Sequence, residues 1–173
     1  MAETTRTGRV FLGLGSNQGD RHANILAALR GLGALPQTRL LAASGMYETA
    51  PVGGPAGQQY FYNAVGLIET RLTPRELLKA TQALEVRLGR DRSGEAVIWG
   101  PRSIDIDILL WEGLTLAEPD LLIPHPRLAL RAFALAPLAE IAPDAMHPFE
   151  GLSVRQLLER IGEDDAGIRR LPV

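Results

Sequence analysis

The apolar and polar positions of the chain recur with two different periods, which predict a succession of strands and helices. Short apolar runs bounded by glycine, proline or polar residues predict strands at 9–15, 39–49, 61–70 and 99–111. Apolar residues at helical spacing predict helices at 21–33, 73–90 and 153–161, and a further helix after the prolines within 124–143. Strands and helices therefore alternate through most of the sequence.

The helix predicted at 73–90 has the clearest boundaries. Thr73 can cap its first turn, Pro74 suits the first helical position, and Glu76 completes a capping box. The whole succession of elements is typical of a split βαβ, or ferredoxin-like, α+β fold. We therefore expect a mainly antiparallel sheet with helices packed on one face of it.

Length and composition bound the class of protein. The chain has 173 residues, 46% of them hydrophobic, which predicts one domain over 1–173, with its core at about 9–161 and a loose tail at 162–173. The formal net charge of −2 argues against a general nucleic-acid-binding surface. Cysteine is absent, which excludes disulfides and thiolate metal sites. The sequence predicts no membrane span and no leader peptide, so we expect a cytoplasmic protein without a membrane partner.

Two aspartates interrupt the most apolar of the predicted strands, WGPRSIDIDILLW at residues 99–111. Alternation along a strand places Asp105 and Asp107 on one face, with roughly 6.6 Å between their Cα atoms. Two carboxylates at this spacing can hold one hard cation or a pair of cations. The alternative is a solvated outer face on which both aspartates pair with arginines.

The residues around this strand favour a nucleoside-triphosphate site. Arg102 precedes the aspartates in a rigid WGPR segment, Trp99 supplies a flat surface, and His125 follows between two prolines. Carboxylates that hold Mg²⁺, with arginine and histidine beside them, are typical of such a site.

One carboxylate of the helix at 73–90 lies on its inward-facing arc. Glu85 follows Leu78 by seven residues, which places it on that arc. It is either a carboxylate aimed into a cleft or a boundary residue paired with Arg90 or Arg92. These two arginines lie in the polar segment after the helix, where they could close over phosphates.

Two further segments are candidates for ligand contacts. GLGSNQGD at 13–20 lacks the ending of a P-loop and does not fit G-x-G-x-x-G, so a glycine-rich turn explains it better than a phosphate cradle. YFYN at 60–63 concentrates aromatic residues, which either belong to the core or stack on a flat heterocycle. Asn63 offers a donor and an acceptor to the edge of such a ring. Phe133, beside Arg131, is a candidate for the opposite wall.

Together these segments resemble the 6-hydroxymethyl-7,8-dihydropterin pyrophosphokinase family over about residues 9–160. The resemblance rests on GLGSN, YET, FYNAV, E…LGRDR, WGPRSIDIDIL, PHPRL and an R-A-F element. It implies a monomer with a ferredoxin-like α+β fold and three mobile catalytic loops, at about 15–22, 50–61 and 90–102. It also implies transfer of pyrophosphate from ATP, with two Mg²⁺ ions, to the hydroxymethyl group of the pterin, with release of AMP, in folate biosynthesis.

The resemblance also implies roles for single residues. Asp105 and Asp107 match the aspartates that hold the magnesium ions, and with Arg90, Arg92 and Arg102 they form the expected catalytic set. The implied pterin contacts are the stacking rings Phe61 and Phe133, the ring-edge residue Asn63, and the main chain of Thr49 and Val52. The implied nucleotide contacts are Gln82, Glu85, Ile108 and His125. The implied loop and phosphate-binding positions are Arg90, Arg92, Trp99, Arg102 and Arg131.

Two positions depart from the family pattern, and two other functions stay open. Pro126 stands where some members carry tyrosine, and Ala50 stands where some carry proline, so particular contacts at the substrate rim are in question. One alternative is a non-catalytic ferredoxin-like ligand-binding module, which would not need Asp105 and Asp107. The other is a different metal-dependent phosphotransferase or nucleotidyltransferase, and release of ADP in place of AMP would identify simple phosphoryl transfer.

Overall fold

A computed structural model describes residues 6–91, 100–162 and 167–173 of the chain. Two expected site residues, Arg92 and Trp99, lie outside the described residues. In chain order the elements are β1 Gly8–Ser16, α1 Arg21–Gly33, β2 Thr38–Ala43, β3 Tyr47–Thr49, β4 Phe61–Thr70, α2 Pro74–Arg87, β5 Asp105–Trp111, β6 Leu116–Glu118, β7 Leu121–Ile123, α3 Ala132–Ile141, α4 Val154–Ile161 and β8 Arg169–Arg170.

The main sheet has the strand order β5-β1-β4-β3-β8, and β2 also pairs with β4. All of these pairs are antiparallel. The α+β class with a mainly antiparallel sheet is therefore confirmed. The predicted strand at 39–49 is divided into β2 and β3, which pair with opposite ends of β4. The short β6–β7 hairpin has no counterpart among the predicted elements.

Helices cover both faces of this sheet, so the expectation of a single helical face is wrong. Leu12 of β1 belongs to a core cluster with Ile25 of α1 and Leu77 of α2. Its neighbour Phe11 belongs to a second cluster, with Leu135 of α3. Successive strand residues face opposite sides, and β1 is apolar on both of them, so each side needs a covering layer.

The boundaries of α2 follow the predicted signals closely. Thr73 accepts a hydrogen bond from the Glu76 backbone, and the Glu76 side chain accepts one from the Thr73 backbone. This capping box fixes where α2 begins, and Leu77 and Leu84 on its inner face are buried. The predicted helix within 124–143 begins only at Ala132, because the preceding residues form a 3₁₀ turn at Leu128–Leu130.

Within the tail predicted at 162–173, residues 163–166 lie outside the described residues, and the described residues 167–173 include a short strand. Arg169–Arg170 forms β8, which pairs with β3 at the edge of the main sheet. Arg169 of β8 forms an ion pair with Glu48 of β3. Within residues 6–91, 100–162 and 167–173, every helix is too short or too polar to cross a bilayer.

Candidate active site

The expected metal-binding aspartates lie beside two glycines of the neighbouring strand. The register of β1 and β5 places Gly15 opposite Asp105 and Gly13 opposite Asp107. Residues directly opposite each other in an antiparallel pair project to the same face of the sheet. Because glycine has no side chain, the surface of β1 is open beside Asp105, whereas at Gly13 the Leu109 side chain packs close, 3.2 Å from where a Cβ would lie. Adding a Cβ at Gly15 would place that atom 3.1 Å from Oδ1 of Asn63.

A cavity of about 600 Å³ lies over this open surface. On its β5 side it is lined by charged and polar residues, which are Arg102, Asp105, Asp107, His125, Arg127 and Arg131. Its other lining residues include apolar, aromatic, hydroxyl and amide side chains from β3, β4, α3, α4 and the end of the chain, which are Thr49, Phe61, Asn63, Phe133, Ile161 and Ile168. One cavity therefore combines a charged half with a half suited to a flat heterocycle.

The two aspartates are electrostatically coupled. Burial, and then the negative charge of Asp105, raise the pKa of Asp107 to about 7, against the opposing charges of Arg131 and Arg102. Two carboxylates on one face of a strand destabilise each other when both are ionised. A cation bound between the two carboxylates would relieve this repulsion.

Two arginines already contact Asp105. Nη1 of Arg90 lies 2.7 Å from Oδ1 of Asp105, and Nη1 of Arg102 lies 3.2 Å from the same oxygen. Arg90 also contacts Oε2 of Glu85 at 2.9 Å. Both guanidinium groups are thus held at the carboxylate edge of the cavity.

Glu85 is buried between α2 and β5, with only 1% of its surface exposed. It accepts a hydrogen bond from the backbone N of Ile106 at 2.7 Å, in addition to its contact with Arg90. This geometry agrees with the pairing to Arg90 that we considered as one alternative. Three residues expected to contact the nucleotide do not line this cavity in the described part of the chain, namely Gln82, Glu85 and Ile108.

The expected pterin residues come together on β3, β4 and α3. Thr49 lies opposite Phe61 in the β3–β4 pair. Asn63 is buried, and its Nδ2 donates a hydrogen bond to Oγ1 of Thr49 at 2.6 Å. Phe133 faces the same cavity from α3. Val52 also lines the cavity and is 69% exposed, so it lies at the opening.

His125 and Arg131 flank the charged half of the cavity. The backbone N of His125 donates to the Leu109 carbonyl at 2.8 Å, and its Nδ1 accepts from the Arg127 backbone at 3.1 Å. Burial, and then the charge of Arg131, lower the pKa of His125 to about 4, so its ring is neutral at pH 7. Burial also lowers the pKa of Arg131. The Arg131 guanidinium carbon lies 5.4 Å from the centre of the Phe133 ring.

Sequence reasoning missed two residues that belong to this site. Arg127 lines the charged half of the cavity, and its place in the PHPRL element was the available signal. Asn17, in the segment interpreted as a glycine-rich turn, contacts the backbone of Arg102 and also donates to Gln58 and Gln59. No local pattern identifies these partners, because they lie 41 or more positions away along the chain.

Comparisons with known proteins identify the family that this chain is similar to. A family model described as 7,8-dihydro-6-hydroxymethylpterin-pyrophosphokinase (HPPK) matches residues 11–143. The chain is 44% identical to 2-amino-4-hydroxy-6-hydroxymethyldihydropteridine pyrophosphokinase of Methylorubrum extorquens, over 94% of this chain and 98% of that protein. It is 43% identical to the protein of the same name from Pseudomonas aeruginosa, over 95% of this chain and 97% of that protein.

Longer proteins also contain a region similar to this chain. The crystal structure of wild-type Plasmodium falciparum HPPK-DHPS with pteroate matches with a TM-score of 0.76 at 16% identity, over 100% of this chain and 47% of that chain. This chain therefore spans about half the length of that protein, and the likeness shows the fold alone. The family match and the two bacterial relatives decide the assignment: the chain belongs to the 7,8-dihydro-6-hydroxymethylpterin-pyrophosphokinase family.

Proposed function

We propose that this chain transfers the pyrophosphoryl group of ATP to the hydroxymethyl group of 6-hydroxymethyl-7,8-dihydropterin, with release of AMP, in folate biosynthesis. The observation that carries the proposal is the single cavity that joins the Asp105–Asp107 pair to the Phe61–Asn63 side of the sheet across Gly13 and Gly15. The names of the two bacterial relatives support the same reaction.

The donor set around the aspartates fits magnesium. The described ranges contain no group of three or more histidine, cysteine or acidic residues that could form an all-protein metal cage. Mg²⁺ is usually held by one or two carboxylates together with substrate phosphates and water. Asp105 and Asp107 would hold two such ions, which when bound neutralise the charge of the triphosphate.

The arginines and His125 bind and orient the triphosphate in this proposal. Arg102 and Arg131 face the cavity, and Arg90 lies within reach of it through its contact with Asp105. We extend the same role to Arg92, which follows Arg90 in the chain. The pterin hydroxyl oxygen attacks the β-phosphorus and loses its proton to solvent, and the bond from that phosphorus to the oxygen retained by AMP breaks. Positioning and charge neutralisation account for most of the catalysis in such a step.

The β4 and β3 side of the cavity holds the pterin. Phe61 and Phe133 would lie on opposite faces of the ring, and Asn63 would read its edge together with the main chain of Thr49 and Val52. Thr49 already orients the Asn63 amide through the 2.6 Å hydrogen bond, which leaves Oδ1 of Asn63 on the side of Gly15. The preformed orientation lowers the entropy cost of binding the ring.

The adenosine part of ATP is assigned to the border between α2 and β5. We propose contacts from Gln82, Glu85, Ile108 and Trp99, of which the first three lie outside the lining of the main cavity. The Glu85 carboxylate also holds the Ile106 backbone and Arg90 in place, one on each oxygen. We further propose a single-domain monomer that acts in the cytoplasm, which size-exclusion chromatography and cell fractionation would check.

A nucleotide readout tests the reaction directly. The protein is incubated with Mg-ATP and 6-hydroxymethyl-7,8-dihydropterin, and AMP and ADP are separated, with Asp107→Ala as the control variant. Pterin-dependent AMP that disappears in the variant is the expected result. Release of ADP would indicate a different phosphotransferase, and retained pterin binding without turnover would indicate a binding module.

A further inference from the structure

Residues Ile168–Leu171 form a strap along the outer edge of β3. The β8 part of the strap pairs antiparallel with β3 and places Arg170 opposite Tyr47. The backbone N of Leu171 then donates a hydrogen bond to the Met46 carbonyl at 2.9 Å. The opposite edge of β3 pairs with β4, so this short strand is held on both edges.

Charged side chains fasten the strap to β3 and to α3. Nη2 of Arg170 lies 2.9 Å from Oε1 of Glu140 on α3, and the Tyr47 hydroxyl donates to the other oxygen of Glu140 at 2.6 Å. Nη2 of Arg169 lies 2.9 Å from Oε1 of Glu48. Because Glu140 contacts both the strap and β3, the three elements meet at one carboxylate.

The strap places one apolar side chain against the cavity. Ile168 packs on the second core cluster together with Phe133 and Tyr47. It also lines the cavity, as Ile161 at the end of α4 does, on the side where Thr49 lies. The family model ends at residue 143, so it assigns no role to this segment.

We propose that Ile168 is a specificity-determining residue of the heterocycle side of the cavity, and that the strap is the element that positions it. This inference rests on the proposed function, because it takes a pterin as the occupant. The aspartates lie on β5 at one edge of the sheet, whereas Ile168 lies beyond β3 at the opposite edge. The Ile168 side chain therefore limits the size of substituents on the end of the pterin ring that lies far from the reacting hydroxyl group.

Affinity measurements with two ring compounds test the proposal. The probes are 6-hydroxymethylpterin and a 6-hydroxymethylpterin that carries an added alkyl group on the ring, both measured by calorimetry. In Ile168→Ala we expect the ratio of the two affinities to move at least tenfold towards the alkylated compound. In Ile168→Phe we expect the KM for the pterin to rise at least tenfold, with the KM for Mg-ATP within twofold of wild type. Val173→Ala, a change at the exposed chain end, should alter neither quantity.

A second variant separates positioning from packing. Arg170→Ala removes the contact with Glu140, so we expect a higher KM for the pterin at unchanged kcat, and Arg170→Lys should restore part of the loss. If Ile168→Ala does not fold, Ile168→Val gives the same comparison with a smaller change. An unchanged affinity ratio in a folded Ile168 variant would overturn the inference. Absence of pterin-dependent AMP from the wild type would instead contradict the proposed function, since the calorimetric comparison does not depend on turnover.

Discussion

Asn17 and Arg102 are joined by two hydrogen bonds. The backbone N of Asn17 donates to the Arg102 carbonyl at 3.1 Å, and the backbone N of Arg102 donates to Oδ1 of Asn17 at 2.8 Å. Nδ2 of Asn17 donates to Oε1 of Gln58 at 3.1 Å and to the Gln59 carbonyl at 3.2 Å. One buried amide therefore links the segment after β1, the segment before β4 and the arginine that contacts Asp105.

Replacing Asn17 should lower kcat/KM by more than its loss of folding stability can explain. Asn17→Ala leaves the part-buried Arg102 backbone N without its acceptor, which costs about 1 kcal/mol, at the low end of the range for an unsatisfied donor. We expect kcat/KM to fall by about tenfold or more, because Arg102 and the segment before β4 lose their common support. Steady-state kinetics and a thermal melt would measure the two effects.

The matched control is Asn24→Ala in α1. The Asn24 amide donates to Ser16 and to the Gln18 carbonyl, and its hydrogen bonds within the described part of the chain do not include Arg102. Asn24→Ala should therefore lower kcat/KM less than Asn17→Ala does, at a comparable loss of folding stability. Equal kinetic losses in both variants would contradict the linking role of Asn17.

Gly15 should be intolerant of any side chain. In Gly15→Ala the added Cβ would lie 3.1 Å from Oδ1 of Asn63 and 3.6 Å from Cδ1 of Phe61, and it would fill part of the open surface beside Asp105. We expect the affinity for 6-hydroxymethylpterin to fall by at least tenfold, as measured by calorimetry. Gly33→Ala is the control, since its Cβ would meet Leu40 at an ordinary 3.4 Å. Equal pterin affinities in the two variants would show that the open surface has no role in binding.

The carboxylate of Glu140, which contacts both the strap and β3, should make the free energy of unfolding depend on pH. Hydrogen bonding to Arg170, and further to Tyr47, lowers the pKa of Glu140 to about 2. A carboxyl group with a lowered folded-state pKa stabilises the protein above its ordinary value of 4.5, and this contribution is lost as the pH falls towards 2.

Urea unfolding of wild type and Arg170→Ala at several pH values checks this contribution. We expect the stability difference between the two proteins to be largest above pH 5 and to shrink as the pH falls towards 2. The wild type should also lose stability at alkaline pH, because burial and Glu140 raise the pKa of Tyr47 to about 12, so the contribution of Tyr47 falls as the pH rises from 10 to 12. Arg170 opposes this rise in the pKa of Tyr47, so Arg170→Ala should retain the alkaline loss. A difference that is constant from pH 2 to 7 would exclude the Glu140 contact as a source of stability.

The capping box at the start of α2 should contribute measurably to folding. Thr73→Ala removes the acceptor for the Glu76 backbone N, a hydrogen bond of 3.2 Å, and the loss of a cap costs about 1 kcal/mol. Thr73→Ser keeps the hydroxyl and should retain most of that stability. Chemical denaturation of both variants gives the comparison. Equal destabilisation by serine and alanine would show that the Thr73 methyl group, and not its hydroxyl, stabilises the helix.

The sequence by itself determined the features that depend on neighbouring residues. The capping box of α2 and the common face of Asp105 and Asp107 both follow from local spacing, and the structure contains both. The family was also identifiable from the sequence, because its motifs are short and contiguous, and the comparisons confirm it. The assigned roles of the individual site residues stay predictions.

Only the tertiary structure decided which distant segments meet. Gly13 and Gly15 gain their importance from a register with β5, about ninety residues further along the chain. The pairing of β8 with β3 and the link from Asn17 to Arg102 likewise join residues that no local period connects. Helices cover both sides because β1 is apolar on each face, a property that alternation alone did not reveal for so short a run. Local chemistry fixes the shape of each element, whereas burial of apolar surface and satisfaction of buried polar groups select how the elements assemble.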